Sequence, residues 1–314
     1  MLTSSAWASW VWVPIVLVAA LAQTARNAAQ RSISGHAGSL GATLARFLYG
    51  FPFAALYLFI LQFTANGSFD LPTLTAPYLA WLAFGALAQV AATALLLSAM
   101  KARNFVVAVT YSKTEVIQVA LFAFVLLNEA LSSLAFLAIG IVAAGVTMLS
   151  LPHAAPLGRA GSAWLGASAV FGIGSGTLFA LATVGYRAAG LELLQLGEIP
   201  SPWLVGAWGV FLAQGFQTAI LVSWLAMRDQ PALRSVIRAW PISLSAGFAG
   251  ATASLAWFTA YALQTAAHVR MVGMVEVLFS YAVSRGFLQE NLRTPEKIGL
   301  ILVTVGVVVS GLSA

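Results

Sequence analysis

Two glutamates stand inside stretches that are otherwise apolar enough to cross a bilayer. Glu115 lies in FVVAVTYSKTEVIQVALFAFVLLNEA (105–130), with Lys113 just before it, and Glu276 lies in a related stretch at 269–291. A carboxylate at membrane depth is costly, so it marks a substrate path or proton relay, or else it bonds neighbouring helices to fix the fold. The chemistry on offer is loading and releasing a proton, or holding a polar solute. Tyr111, Glu115 and Gln118 fall on one helical face and form a polar stripe that must meet protein or water. On a regular helix Lys113 points roughly 160° away from Glu115. The two are therefore expected not to pair, and Lys113 needs a partner from a neighbouring span. Glu276 shares its face with Gly273 and Ser280, a less polar setting, so the site is expected to lean toward Glu115.

The two glutamates belong to a repeated pattern. The spacing from Glu115 to Glu129 equals that from Glu276 to Glu290. The single shift that carries Glu115 onto Glu276 also carries Glu129 onto Glu290, Leu131 onto Leu292 and Gly145 onto Gly306. Glu129 and Glu290 fall at span ends, where solvation or gating is expected rather than substrate contact. The counterparts of Tyr111, Lys113 and Gln118 are Val272, Met274 and Phe279, so the two halves differ in charge.

The elements that carry these residues follow from composition. The chain is 61% hydrophobic and 8% charged, with a mean hydropathy of +0.92. A soluble domain is about 25% charged, so a soluble fold is excluded. Its 314 residues allow about ten crossings at roughly 20 residues each. Continuous apolar runs favour helices over barrel strands, which would alternate. Ten transmembrane helices are expected at 7–25, 41–64, 76–100, 105–127, 132–151, 161–186, 202–227, 241–263, 267–288 and 296–313. Pro77, Pro202, Pro241 and Pro295 open spans, where a missing N–H costs nothing, while Pro14 and Pro52 should kink theirs. Trp7, Trp10, Trp164, Trp203, Trp224 and Trp240 fall near span ends, where interfacial rings are favoured. PHAAPLGRAG (152–161) divides five spans from five, giving halves at 1–156 and 157–314. An odd number per half makes them inverted repeats, an architecture of secondary transporters.

The formal charge of +6 reflects basic loops rather than nucleic-acid binding. Twelve Arg and Lys residues lie in or beside the loops after the odd-numbered spans, Arg26 and Arg46 among them. Only Arg187 and Arg270 lie on the other side, so the positive-inside rule puts both termini outside. There is no cysteine, hence no disulfide or thiolate metal site. The N-terminus lacks a basic n-region and reads as the entry to the first span rather than as a cleaved signal.

Further polar residues fall within spans. Arg46 opens the second and either reaches an anionic substrate group or anchors at the interface. Gln23, Thr24, Asn27, Gln89, Gln214 and Gln217 either bond a polar ligand or join helices. His268 and Arg270 open the ninth span and read as interfacial. Gly172, Gly176, Gly247 and Gly250 permit close helix packing. A membrane enzyme is the competing class: GIGSG (172–176) approaches the Gly-x-Ser-Gly of intramembrane serine proteases, with His268 as base. Ile173 breaks that motif, and no cofactor or metal motif appears.

With these residues in view, the chain resembles the drug/metabolite transporter superfamily, in particular its ten-helix EamA-type members. The matches are Glu115, Glu129, Leu131 and Gly145, then Glu276, Glu290, Leu292, Gly299 and Gly306, with Arg46 at the start of the second helix. Val116 and Val277 replace the family's proline after the first glutamate, and Asn128 and Gln289 replace its glycine before the second. The resemblance implies an integral carrier of a bacterial inner (cytoplasmic) membrane. It would move small organic solutes, often outward, with proton coupling or exchange. An amino-acid-like or zwitterionic metabolite suits the glutamates together with Lys113 and Arg46; a lipophilic cation suits the glutamates alone. Family members commonly keep both termini in the cytoplasm, against the charge count here.

Overall fold

The computed structural model describes residues 10–66, 70–102, 105–130, 132–149, 167–199, 201–288 and 294–312. The dividing segment 152–161 and Glu290 lie outside the described residues. Among the described residues there is no strand. The helices are α1 (Trp12–Leu48), α2 (Phe51–Asn66), α3 (Ala76–Ala102), α4 (Phe105–Ser112), α5 (Glu115–Leu127), α6 (Ser133–Leu149) and α7 (Ala167–Gln195). They continue with α8 (Pro202–Arg228), α9 (Gln230–Arg238), α10 (Trp240–Leu263), α11 (Ala266–Val272), α12 (Glu276–Leu288) and α13 (Thr294–Leu312). Among the described residues, five helical runs are long and apolar enough to cross a membrane, the first being Trp12–Ala65. Polarity is inverted relative to a soluble protein. Phe59, Leu121, Val125 and Phe136 are 54–66% exposed, while Arg26, Arg46, Glu115 and Glu276 are each 1% exposed. Such an outer surface belongs in hydrocarbon.

Several expectations need correcting. No loop separates a span at 7–25 from one at 41–64, because α1 runs through this region to Leu48. It is broken only at Gly38, whose φ of +71° a residue with a side chain adopts at a cost. Gln30 Nε2 donates to Ala42 O (2.8 Å) across the break. Hydropathy falls after residue 25 because α1 turns polar side chains inward, not because the helix ends. Pro14 produces no kink, since it sits in the first turn of α1. Pro52 likewise sits in the first turn of α2, just after the turn at Tyr49–Gly50. The expected loop between 228 and 240 contains α9, capped by Asp229 Oδ1 accepting from Ala232 N at 3.0 Å.

The expected span starts at prolines hold: Pro77, Pro202, Pro241 and Pro295 each lie in the first two positions of a helix. Trp10, Trp203, Trp224 and Trp240 are exposed near helix ends. Helix boundaries also recur. α4, α5 and α6 begin at Phe105, Glu115 and Ser133, and the shift that carries Glu115 onto Glu276 carries these starts onto Ala266, Glu276 and Thr294, where α11, α12 and α13 begin. The packing is reciprocal: α3 lies along α7, α1 along α10, α2 against α8 and α6 against α13. At the α6–α13 contact a Cβ on Gly145 would lie 2.7 Å from Gly299 O and 2.9 Å from Val303 N. One on Gly306 would lie 3.2 Å from Ala138 O and 3.1 Å from Val142 N. The same shift carries Ala138 onto Gly299 and Val142 onto Val303, so the contact is self-complementary in the manner of a two-fold interface.

Gly247 presses α10 against the α1–α2 turn, where an added Cβ would lie 2.4 Å from the Tyr49 carbonyl carbon. Backbone cannot yield as a side-chain tip does. Gly247→Val should cost ~1–3 kcal/mol or more and lower the melting temperature, whereas Gly140→Ala, with nothing within 4 Å, should not. Equal melting temperatures would contradict this packing.

A second test concerns an exposed clasp between loops. Glu198 accepts from Thr73 N (2.7 Å) and Thr73 Oγ1 (2.8 Å), and these bonds hold its carboxyl below the usual carboxylate range. A lowered folded pKa means the clasp is complete at neutral pH and is lost as pH falls through that lowered value. The Thr73 amide resonance should titrate with a midpoint below that of a free glutamate; a midpoint at or above it would count against the clasp.

Candidate functional site: a buried ion network

α4 and α5 would form one continuous helix were it not for the turn at Lys113–Thr114. There Thr114 N bonds Tyr111 O and Val116 N bonds Lys113 O, both i to i−3 contacts at 3.3 Å. Such tightening rotates successive side chains by more than an α-helix does. It brings Lys113 toward Glu115 instead of away from it. The expectation that the two do not pair is therefore corrected: Lys113 Nζ lies 3.3 Å from Glu115 Oε1. The second half breaks in the corresponding place, with a 3₁₀ turn at Gly273–Val275 before α12. No proline sits at either break. Each glutamate occupies the first turn of its helix, the end of the helix dipole that favours negative charge.

The partner that Lys113 requires from another span is Glu276, whose Oε2 accepts from Nζ. Glu276 also accepts from Gln23 Nε2 at 2.6 Å (Oε2) and Asn27 Nδ2 at 3.0 Å (Oε1). Its setting is thus the more polar of the two, contrary to the reading from its own helix, because the donors come from α1. Asn27 Oδ1 accepts from Arg26 Nη2 (2.7 Å) and Nε (3.3 Å). Gln23 Oε1 accepts from Trp257 Nε1 at 2.9 Å. Glu115 Oε1 accepts from Arg270 Nη2 as well, and the Arg270 guanidinium stacks on the Trp257 ring at 4.7 Å. Arg270 is 6% and His268 8% exposed, so neither is interfacial as expected; both lie on α11, inside the helix packing.

The remaining candidates divide into those near the network and those elsewhere. Tyr111 is buried where α4 meets α7: a Cβ on Gly172 would lie 2.5 Å from its Cβ, and one on Gly176 2.6 Å from Ser112 O. The expected close packing at these glycines is present, and Gly247 and Gly250 do the same for α10 against α1. Gln118 is half-buried, and its Oε1 has no protein partner; nor do Glu115 Oε2, Arg270 Nε and Ser280 Oγ. Arg46 is 1% exposed, which rules out an interfacial anchor. Its Nη1 donates to Thr93 Oγ1 (3.3 Å) and its Nη2 to Ser254 Oγ (3.4 Å). Gln89 and Gln217 join Tyr186 in a separate set: Tyr186 OH and Gln217 Nε2 both donate to Gln89 Oε1, at 3.0 and 2.9 Å. Gln214 is buried with neither amide atom bonded to protein.

Glu129 is a helix-end residue, as expected, and it is paired. It accepts from Arg187 Nε (2.7 Å) and from Ala266 N (3.0 Å) at the start of α11. Arg187 also donates to Tyr261 O. It was placed in a loop by the sequence, but α7 continues to Gln195. The shift that relates Glu115 to Glu276 also relates Arg26 to Arg187, a correspondence the sequence offered and the reading of Arg26 as a loop residue obscured. Asn128, where the resembled family has glycine, adopts φ +55° at the C-cap of α5, a left-handed conformation asparagine tolerates. Ser175 Oγ donates to Ala92 O (2.8 Å) and His268 Nδ1 bonds Thr265 Oγ1 (2.7 Å); the pair considered for serine-protease chemistry is occupied elsewhere.

Removing Lys113 leaves Glu276 without a directly bonded cation and costs ~3–5 kcal/mol by the usual penalty for breaking a buried pair. Lys113→Met should therefore be strongly destabilising, and Glu276→Gln added to it should restore part of the loss. Additive losses in the double variant, measured by thermal or denaturant unfolding, would contradict the pairing.

The chain matches no known family profile and no curated protein. Among solved structures it is similar to one described only as a crystal structure of a protein, with a TM-score of 0.63 and 13% identity over 96% of each chain. That likeness extends to the fold over nearly the whole chain.

Proposed function

We propose that this protein is a secondary transporter working by alternating access, with the Lys113 network at the centre of its path. The observation that carries the reading is that Lys113 bonds Glu115 and Glu276, two intramembrane acids at equivalent places in the repeated pattern. Ionised groups sealed at membrane depth are retained where solutes or protons move. The recurring helix starts and the reciprocal α6–α13 contact support two repeats of five spans each. In that count Trp12–Ala65 crosses twice, α4–α5 and α11–α12 each cross once as broken helices, and α9 lies outside the spans. Five spans per repeat make the repeats inverted, and broken helices at their interface are where such transporters hold substrate. The resemblance to EamA-type transporters adds the expectation of a bacterial inner-membrane exporter driven by protons or by exchange.

The substrate is a small polar or zwitterionic metabolite, amino-acid-like in its charges. A multidrug exporter of lipophilic cations fits less well, since the buried basic residues outnumber the acids. Orientation rests on the basic loops. Arg26 and Arg46 leave that count because they are buried, but on the opposing side so do Arg270, buried, and Arg187, ion-paired to Glu129 within α7, and the bias toward termini outside persists.

A ligand-stabilisation screen of the purified protein across amino acids, nucleosides and cationic dyes identifies a solute, which is then followed in proteoliposomes under a pH gradient. Glu115→Gln and Glu276→Gln should each abolish gradient-driven flux. If both variants carry it unchanged, proton coupling through these acids is wrong; if the parent carries no solute in either direction, so is transport.

A further inference from the structure

Among the described residues, six side chains with formal charges are buried around the centre: Arg26, Arg46, Lys113, Arg270, Glu115 and Glu276, none more than 6% exposed. Four are cations and two are anions. The anions are matched by Lys113 and Arg270, which bond them directly. Arg26 and Arg46 remain without a directly bonded acid among the described residues. Arg26 donates twice to the amide oxygen of its neighbour Asn27. Arg46 makes two long bonds to hydroxyls and lies over the Phe47 ring at 4.8 Å, and its Nε is buried with no protein partner. A guanidinium keeps its proton in proteins, and an uncompensated buried charge is heavily penalised.

The chain nevertheless brings the two arginines together. Both flank Gly250 of α10, where an added Cβ would lie 3.1 Å from Arg46 Cγ and 3.3 Å from Arg26 Cδ. Close by, Gln214 Oε1 approaches the α1–α2 turn at Gly50, where an added Cβ would lie 2.8 Å from it, and both its amide atoms lack a protein partner. Two guanidinium groups with the Ser254 hydroxyl beside Arg46 form the kind of donor set that a carboxylate, phosphate or sulfonate matches.

We propose that the transported molecule carries an oxyanionic group held by Arg46 and Arg26 between α1 and α10, with Ser254 as a hydroxyl partner and Thr93, whose own proton goes to Gln89 O, orienting Arg46. This rests on the transport reading for what the anion is part of, but the binding site stands by itself. Asn27 bonds both Arg26 and Glu276, so the anion would sit next to the Lys113 network, and its arrival would be felt there through one side chain.

The test heats the purified full chain in phosphatidylcholine nanodiscs with succinate, inorganic phosphate or methanesulfonate. Sodium chloride and tetramethylammonium chloride at equal ionic strength are the controls. At least one oxyanion should raise the melting temperature beyond chloride. The response should vanish in Arg46→Gln, weaken in Arg26→Gln and survive in part in Arg46→Lys. Ligand-free Arg46→Gln should melt no lower than the parent, because it removes a buried charge that has no acid; a purely structural arginine would show a clear fall. The proposal is overturned if no oxyanion exceeds chloride, or if both glutamine variants keep the full response. Stabilisation by phosphatidylglycerol alone, lost in the variants, would assign the anion to a lipid headgroup and overturn the substrate claim. An arginine-dependent shift with no flux of any solute would sink transport and leave the anion site standing. Flux of a cation with no oxyanion response would do the reverse.

Discussion

Lys113 holds two carboxylates that the chain brings from its two halves, and much of the interior depends on that contact. A buried charge survives only where bonds replace the water it has lost. Lys113 can meet both acids because the helix tightens at Lys113–Thr114 and so swings the ammonium group to the side of Glu115. A regular α-helix through this point would leave the amine on the opposite face. The corresponding break before Glu276 places the second acid at a helix start too. The breaks are thus part of how the charges are held, and they occur without a proline.

Around this centre, small residues do the positioning. Gly172 and Gly176 let α7 approach Tyr111 and Ser112, immediately before the turn that carries Lys113. Gly247 and Gly250 let α10 approach the end of α1, leaving room for the arginine side chains. Trp257 on the same helix fixes both Gln23, through its indole N–H, and Arg270, through its ring face. A shift of α10 relative to α1 would therefore act on both glutamates together. Further out, Glu129, Arg187 and the start of α11 form a second ion-paired junction, away from the pair at Lys113 but on the helix that supplies Arg270.

The helical, apolar character of the fold and several helix starts were legible in the sequence, because apolar length and proline at helix starts can be read along the chain. The two central acids and their cation were legible for a similar reason: charges inside apolar runs stand out. What was not legible came from partners far away in sequence. Glu276 looked poorly solvated when judged by Gly273 and Ser280 on its own helix, yet its donors are Gln23 and Asn27 of α1. Arg26 and Arg270 read as loop or interfacial residues because hydropathy treats a buried cation and a solvated one alike. The absence of any Gly or Pro from residue 25 to residue 34 was the signal that α1 continues and carries Arg26 inward. Lys113 was misjudged by assuming an unbroken helix.

The cysteine-free chain allows a direct measurement of whether the centre is reached from both sides of the membrane. Ser280 lies one turn after Glu276, is 1% exposed, and its hydroxyl has no protein partner, so Ser280→Cys should disturb little. In proteoliposomes, a membrane-impermeant maleimide applied to either face should label this single cysteine, slowly and to completion from each side. Labelling from one face alone, however long the exposure, would contradict alternating access at the Lys113 network.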